Sequence, residues 1–454
     1  MNLADPVNAP PATAESLFAP GRRAACIGAV ALISMLAFES IAVATAMPAV
    51  AGALNGLPLY ALAFGATLAT SVLGMTMAGQ LCDKRGPYRA ALIGLAVFLA
   101  GLLVAGFATA MQALVLGRAL QGLGSGVLGV TLYVGVGRVV PPALHPKLFA
   151  LFAGAWVVPG LVGPALASFL VQALSWRAVF LAVAAAVPVA AGLMLPALKR
   201  IGSGTGEVLR WGAMRWALLA SAGALALHGA SQQSGMVAGL LFAAGLAGAG
   251  FAARRLLPVG TLTAARGLPT VILLRGLIAA AFASAEAFLP LLLTGHFGWS
   301  LTQAGIALSA GAVTWSIGSA VQARVHREAA RRRLLPAGFA LAASGLAVVM
   351  APLVSTALPA ALVLLGWVGV GLGIGLSFPM LSVLLLRLSP PDQQGSNTSA
   401  LQLADALVSS AALALAGLLF DPATRQVLPV LLMACALAAA ASALSLRAVA
   451  STKA

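Results

Sequence analysis

The sequence predicts an all-α polytopic membrane protein with fourteen transmembrane helices, arranged as six, two and six. Three observations carry this. Of 454 residues, 61% are hydrophobic and only 8% charged, against about 45–50% and 25% in soluble domains. The apolar residues fall into runs of about 20, the length that crosses a hydrocarbon core. The basic residues collect in the short gaps between those runs, which is how loops on one side of a bilayer are marked.

The runs follow in order. Six lie at 24–51, 57–81, 90–110, 112–137, 148–174 and 178–198. Two more, at 213–231 and 235–256, form an insert, the first ending near His228 and the polar stretch from Ser231 to Ser234. The last six lie at 268–295, 300–323, 333–355, 358–388, 396–420 and 426–446. This divides the chain into an N-terminal tail (1–23), a first bundle (24–198), linkers plus insert (199–267), a second bundle (268–446) and a C-terminal tail (447–454). The tail before the first run is polar, rich in Ala and Pro, and reads as carrying no cleavable signal. The 50 glycines suit helices that approach closely through small residues.

Charge placement tests the span count. With the N-terminus inside, all but four of the 26 Lys and Arg residues fall on the inner side. Arg177 and Arg425 fall outside, and Arg118 and Arg275 lie within helices. A wrong count would invert the parity and mix the sides, so both termini are expected in the cytoplasm. The same placement turns the net charge of +16 into a topology signal rather than a nucleic-acid footprint.

The gap after the second run reads Gly79-Gln-Leu-Cys-Asp83-Lys84-Arg85-Gly86-Pro87-Tyr88-Arg89. Its glycines permit a tight turn, and its acid suits a helix N-terminus or neighbouring arginines. The fourth helix carries Gly117-Arg118-Ala-Leu-Gln121-Gly122-Leu-Gly124, and an arginine so deep in an apolar run should face a cavity or a carboxylate. The fifth contains Pro159-Gly160-Leu-Val-Gly163-Pro164-Ala-Leu-Ala167-Ser168, which also reads as close helix packing with a proline bend. Ser175-Trp176-Arg177-Ala-Val-Phe180 opens the sixth. Together these resemble the loop signature, the helix 4 arginine motif and the antiporter motif of the major facilitator superfamily. In the antiporter motif Ala167-Ser168 stands where that pattern has Gly-Gly. Helix 1, Phe38-Glu39-Ser40-Ile-Ala-Val-Ala-Thr45-Ala-Met-Pro48, is similar to the pattern of the superfamily's fourteen-helix drug–proton antiporter branch, with Glu39 in place of aspartate. The corresponding loop of the second half has Gln322 where the first has Asp83.

The resemblance implies a major facilitator fold of two six-helix bundles and proton-coupled export of small amphipathic or cationic compounds by alternating access. It implies a gating loop at Gly79, Asp83, Arg85, Gly86 and Arg89, with Asp83 against the start of helix 13 at Ser396-Asn397-Thr398. It also implies that the first helix of each half lines a central cavity. Export of a specific metabolite or lipid is the alternative, since one architecture serves many substrates.

Ten acidic residues are present, and Glu39, Glu286 and Asp405 sit within spans. A carboxylate at mid-bilayer costs about 2.5–3.5 kcal/mol on insertion scales, so three point to use. A carboxyl withdrawn from water favours its protonated form, as proton exchange requires. Glu39 falls about 15 residues into helix 1, close to mid-membrane at 1.5 Å per residue. Glu39 and Glu286 are the expected proton or cation sites, with Arg118 tuning Glu39. Asp405 is expected near the interface between halves, and Arg275 three turns from Glu286, too far to pair along the helix. Fixed structural ion pairs are the competing use of each acid.

Trp315 is a candidate cavity wall or a packing residue, and His228 and His296 are expected at outer helix ends. Gly371, Gly373 and Gly375 read as packing positions, with neither the preceding strand nor the Lys-Ser/Thr of a nucleotide loop. Cys26, Cys82 and Cys435 have no metal or disulfide spacing. Enzyme motifs such as His-Glu-x-x-His and Gly-x-Ser-x-Gly are missing from the sequence. A receptor would not need three buried acids. The expected partners are a small-molecule substrate, protons and the lipid bilayer, with no cofactor, metal or nucleic acid, acting as a monomer.

Overall fold

The computed structural model describes residues 16–141, 144, 148, 151–152, 154–201, 211–230, 232–233, 235–325, 328–355, 357–390 and 394–448. Fourteen helices run through them. The first six are α1 (Arg23–Ala53), α2 (Leu57–Cys82), α3 (Lys84–Gly106), α4 (Met111–Val139), α5 (Val157–Ala173) and α6 (Arg177–Arg200). The insert is α7 (Trp211–Ala230) and α8 (Gly235–Leu256). The second six are α9 (Leu268–Gly295), α10 (Leu301–Arg324), α11 (Glu328–Val354), α12 (Ala361–Leu388), α13 (Gln394–Leu419) and α14 (Leu428–Ala448). Among the described residues there is no strand, only an isolated bridge between Asp421 and Gln426. A chain that must satisfy every backbone group without water has this solution.

Twelve of these helices are long and apolar enough to cross a membrane. The other two have local reasons. The described part of α5 is 17 residues, and α7 carries Arg215, Trp216 and His228, which reduce its apolarity.

The expected turn between helices 2 and 3 is present but very tight, with helical backbone on both sides of it from Tyr60 to Gly106. Only Gly86 leaves helical geometry, with φ 79° and ψ 160°, followed at once by Pro87. Gly86 supplies the positive φ and the proline restarts the helix, so one residue makes the break and Gly79 stays helical. The fifth helix, expected over 148–174, has a turn at Ala155 and Trp156 before Val157. Helix 13 begins at Gln394, which puts Ser396, Asn397 and Thr398 inside its first turn rather than at its cap.

Glycines set the packing distance within each half. A Cβ on Gly101 of α3 would lie 2.7 Å from the Gly117 carbonyl and 2.6 Å from the Gln121 nitrogen of α4. A Cβ on Gly345 of α11 would lie 2.7 Å from both the Gly366 carbonyl and the Val370 nitrogen of α12. The same close approach occurs at equivalent helix pairs of the two halves, as expected of a fold built from repeats. Gly371, Gly373 and Gly375 likewise abut the backbones of α10 and α11.

Hydrogen bonds among the described residues join the halves. They link Tyr60 Oη to the Ala287 carbonyl (2.8 Å), Ser168 Oγ to the Leu301 carbonyl (3.0 Å), Gln172 Nε2 to Thr302 Oγ1 (2.6 Å) and Ser410 Oγ to the Gly65 carbonyl (3.2 Å). All lie toward the end of the bundle away from the chain termini, along the α5–α10 and α2–α13 seams and at the α2–α9 contact.

Candidate functional site

Among the described residues, the acids within spanning helices stand in two pairs with arginine and one single position. Glu39 sits at the middle of the 31-residue α1, and Arg118 a quarter of the way into α4. They form an ion pair through Arg118 Nη1 and Glu39 Oε1, with the Arg118 side chain 4% exposed and that of Glu39 6%. The same nitrogen donates to Gln121 Oε1 at 2.8 Å, and Arg118 Nε donates to the Ala63 carbonyl at 3.2 Å. Thr67 and Thr70 of α2 donate to the carbonyls of Arg118 and Ala119. Three helices therefore converge on one guanidinium, which meets Glu39 directly rather than across a cavity. The cost of burying an arginine is offset only where such partners surround it.

Arg275 of α9 faces Asp405 of α13, its Nε lying 3.0 and 2.8 Å from the two carboxylate oxygens. Its guanidinium carbon is 3.3 Å from the ring centroid of Phe378 on α12. This pair is less sealed, at 14% and 24% side-chain exposure. Arg275 thus finds its partner on another helix, three turns from Glu286. Tyr133 of α4 comes within electrostatic reach of it.

Glu286 is half-buried within α9 and has no hydrogen-bond or ion-pair partner among the described residues. Aromatic rings flank its position. Phe282, one turn earlier on the same face, stacks on Trp367 at 5.4 Å and meets Trp315 edge-on at 5.2 Å. Trp315 also meets Phe378 at 5.3 Å. Just beyond Glu286, Tyr60 reaches the Ala287 carbonyl and packs on Phe288, which packs on Phe420. The sequence marked Trp315 but missed Tyr60, Phe282 and Phe378, because lone aromatics in apolar runs carry no period that sets them apart.

Helix α5 lies on the seam with α10. A Cβ on Gly160 would lie 3.2 Å from that of Ala312, and one on Gly163 would touch Phe38 and Ile41 of α1. Ser168, at the departure from the Gly-Gly pattern, shares its hydroxyl between the carbonyl of Pro164 one turn back and that of Leu301 across the seam. Pro159 and Pro164 are buried there.

Arg85 and Arg89 are exposed on either side of the buried break at Gly86. The side chains of Asp83 and Ser396 lie outside the described residues, and Asn397 donates to Ser389 Oγ at 2.9 Å. His296 is exposed, as expected of a helix end. His228 is not: it is fully buried, its ring pressed onto Gly65 of α2. The reason is that α7 lies against the first bundle, so its outer end meets protein rather than water. Cys26 and Cys82 are buried thiols outside any disulfide, and Cys82 Sγ donates to Thr131 Oγ1 at 3.6 Å.

Two repeated helical halves, buried ion pairs and an unpaired acid define a multi-pass membrane protein of the transporter class. The profile of the Major Facilitator Superfamily matches residues 27–414, and the chain belongs to that family. It is a transporter, not an enzyme. A protein of Mycobacterium tuberculosis named as a probable multidrug-efflux transporter is 29% identical over 418 residues, covering 87% of this chain and 86% of the relative. Among solved structures, an auto-inhibited POT family peptide transporter superposes with a TM-score of 0.67 at 16% identity, over 94% of this chain and 98% of that one. A D-xylose–proton symporter superposes with a TM-score of 0.65 at 14% identity, over 93% and 96%. At such identities the structural matches establish the fold alone.

Proposed function

We propose that the protein exports small amphipathic or cationic compounds in exchange for protons, by alternating access. The observation that carries this is Glu286: an acid inside a spanning helix, flanked by aromatic rings, and left unpaired while the other two intramembrane acids face arginines. An unpaired acid is free to take either a proton or a cation, and the rings beside it offer faces that attract cations. Occupancy by one excludes the other, which is the elementary condition for exchange. The mycobacterial relative named for multidrug efflux supports the same reading.

Glu39 takes part by releasing Arg118 when it is protonated, and Asp405 stands in the same relation to Arg275. Gly79, Asp83, Arg85, Gly86 and Arg89 form the gate at the α2–α3 break, and Pro159, Gly160, Gly163 and Pro164 shape the seam helix. In this reading both termini lie in the cytoplasm of a bacterial cell, which the excess of basic residues at one end of the bundle supports, and the protein works as a monomer.

The test is pH recording inside proteoliposomes containing the purified protein while ethidium and other lipophilic cations are added. Substrate-dependent proton release is expected in the parent and lost in Glu286→Gln and Glu39→Gln. Unaltered proton release in Glu286→Gln would remove that residue from the coupling path. No proton movement with any cation would favour export of a neutral or anionic metabolite.

A further inference from the structure

We propose that His228, delivered by the inserted helix α7, is a positioning residue for transport. It wedges into the junction of α2 and α13 and ties the insert to the closure of the two halves. The inference rests on membership of the transporter family and not on the cation–proton reading above.

The insert has two unlike helices. Helix α8 buries only Gly245, Ala252 and Ala253 and leaves Met236, Leu240 and Leu246 exposed, as a lipid-facing helix does. Helix α7 docks on α2 through a polar stripe. Ser221 Oγ donates to the Ala69 carbonyl at 2.7 Å, and Gln232 Nε2 donates to the Pro58 carbonyl at 2.7 Å. Between them His228 covers Gly65. Positions 221 and 228 lie two turns apart on one face of α7, and Gln232 follows in the turn beyond its end at Ala230. Their partners at 69, 65 and 58 run the opposite way along α2.

The middle contact reaches further than the other two. Gly65 also accepts the hydroxyl of Ser410 from α13, in the opposite half, and the His228 ring faces the Ser410 main chain. All three nearest atoms to a Cβ at position 65 belong to the His228 ring, so a side chain there would collide first with this histidine. Helices α2 and α13 form one of the seams closed in this conformation. A ring that fills the hollow over Gly65 and borders Ser410 holds these helices in register. When the halves separate at this end, Ser410 must leave Gly65 and the ring must lose its wall. The histidine touches no substrate, but the free energy of that separation includes its contacts.

The experiment uses the full chain in proteoliposomes, with Cys26, Cys82 and Cys435 replaced by Ala and Ser168→Cys as a reporter. Residue 168 is buried on the other seam, α5–α10, so a membrane-impermeant maleimide reaches it only as the halves part. His228→Ala is expected to raise the labelling rate about tenfold, within the usual range for coupling between distant sites, and to lower the maximal rate of ethidium transport with little change in KM. Gly65→Ala should do the same, because its methyl expels the ring. In Gly65→Ala/His228→Ala the methyl fits, so the double variant should be no worse than His228→Ala alone. His228→Gln, whose carboxamide refills most of the hollow over Gly65, should restore slow labelling. Labelling unchanged in both single variants, or effects of the two that simply add, would overturn the proposal. The labelling arm needs no substrate, so it stands or falls apart from the cation reading.

Discussion

Replacing Arg118 with methionine removes the cation that Glu39 faces while keeping a side chain of similar reach. The pair is sealed, with neither side chain more than 6% exposed. Removing one partner of a buried pair costs about 3–5 kcal/mol, because the other charge is stranded without water. Gln121 Oε1 and the Ala63 carbonyl lose a donor in the same step, at roughly 1 kcal/mol each. The loss therefore belongs at the upper end of the range. It should read as a fall of roughly 10 °C in melting midpoint for a unit the size of the first six-helix half. The assay is thermal unfolding in detergent with a thiol-reactive dye, since Cys26 and Cys82 are thiols in no disulfide, buried until the bundle opens. The paired variant Glu39→Leu/Arg118→Met removes both charges and should recover most of the midpoint, with a non-additive coupling of about 2 kcal/mol or more. It should remain inactive in transport, which separates the pair's part in folding from its part in function. An Arg118→Met protein melting within about 2 °C of the parent would refute the reasoning, for α1 and α4 would then not be held by this pair.

Gly345→Ala and Gly101→Ala should each lower the midpoint, because the new methyl meets backbone atoms at 2.6–2.7 Å that cannot turn aside; the cost is about 1–3 kcal/mol, and a midpoint unchanged in both would mean the helices slide apart freely. Arg275→Lys keeps the charge but loses the contact of one nitrogen with both Asp405 oxygens and the stacking on Phe378, and should destabilise by about 1–2 kcal/mol in the same dye assay. In the turn between α13 and α14, the Thr424 hydroxyl first and the Ala423 amide second hold the Asp421 carboxyl below its ordinary value. A depressed carboxyl stabilises the folded turn above its unfolded pKa and loses that stabilisation as pH falls through the folded one. The protection factor of the Ala423 amide, its exchange corrected for the intrinsic rate at each pH, should therefore fall on acidification, and should be low and independent of pH in Asp421→Ala.

Most of the architecture was legible because a bilayer leaves few options. Runs of apolar residues must be helices, and the placement of Lys and Arg checks the count. What the sequence obscured was local. The run from Tyr60 to Gly106 reads as two spans with a loop, because Asp83, Lys84, Arg85 and Arg89 are polar enough for one. The backbone nevertheless turns at Gly86 alone, since charged side chains at a helix end reach water without the helix unwinding. In the site, Glu39 and Arg118 were each recognisable as costly residues needing partners. That Arg275 and Asp405 answer each other was not, because nothing in two positions 130 residues apart says that α9 and α13 are neighbours. His228 looked like an interfacial residue for the same reason. Its burial follows from α7 lying against α2, and the small residue that admits it is an ordinary glycine in a chain that has 50.

The distribution of strong and weak contacts bears on how such a protein can move. Both buried ion pairs lie within a half: Glu39 with Arg118 in the first, Arg275 with Asp405 in the second. So do the tight glycine contacts of α3 with α4 and of α11 with α12. Each described hydrogen bond between halves is a neutral one, a hydroxyl or amide donating to a carbonyl or hydroxyl. At a net 0.5–1.5 kcal/mol each, four of them amount to about 4 kcal/mol. Driving a two-state equilibrium from 1:99 to 99:1 takes about 5.5 kcal/mol of differential binding. These polar ties are therefore of a size that a bound substrate or a proton can reverse, whereas breaking a sealed ion pair would consume nearly all of that free energy. Rigid halves joined by contacts of this strength are what a rocking motion requires. An ion pair between the halves would hold one conformation against either ligand.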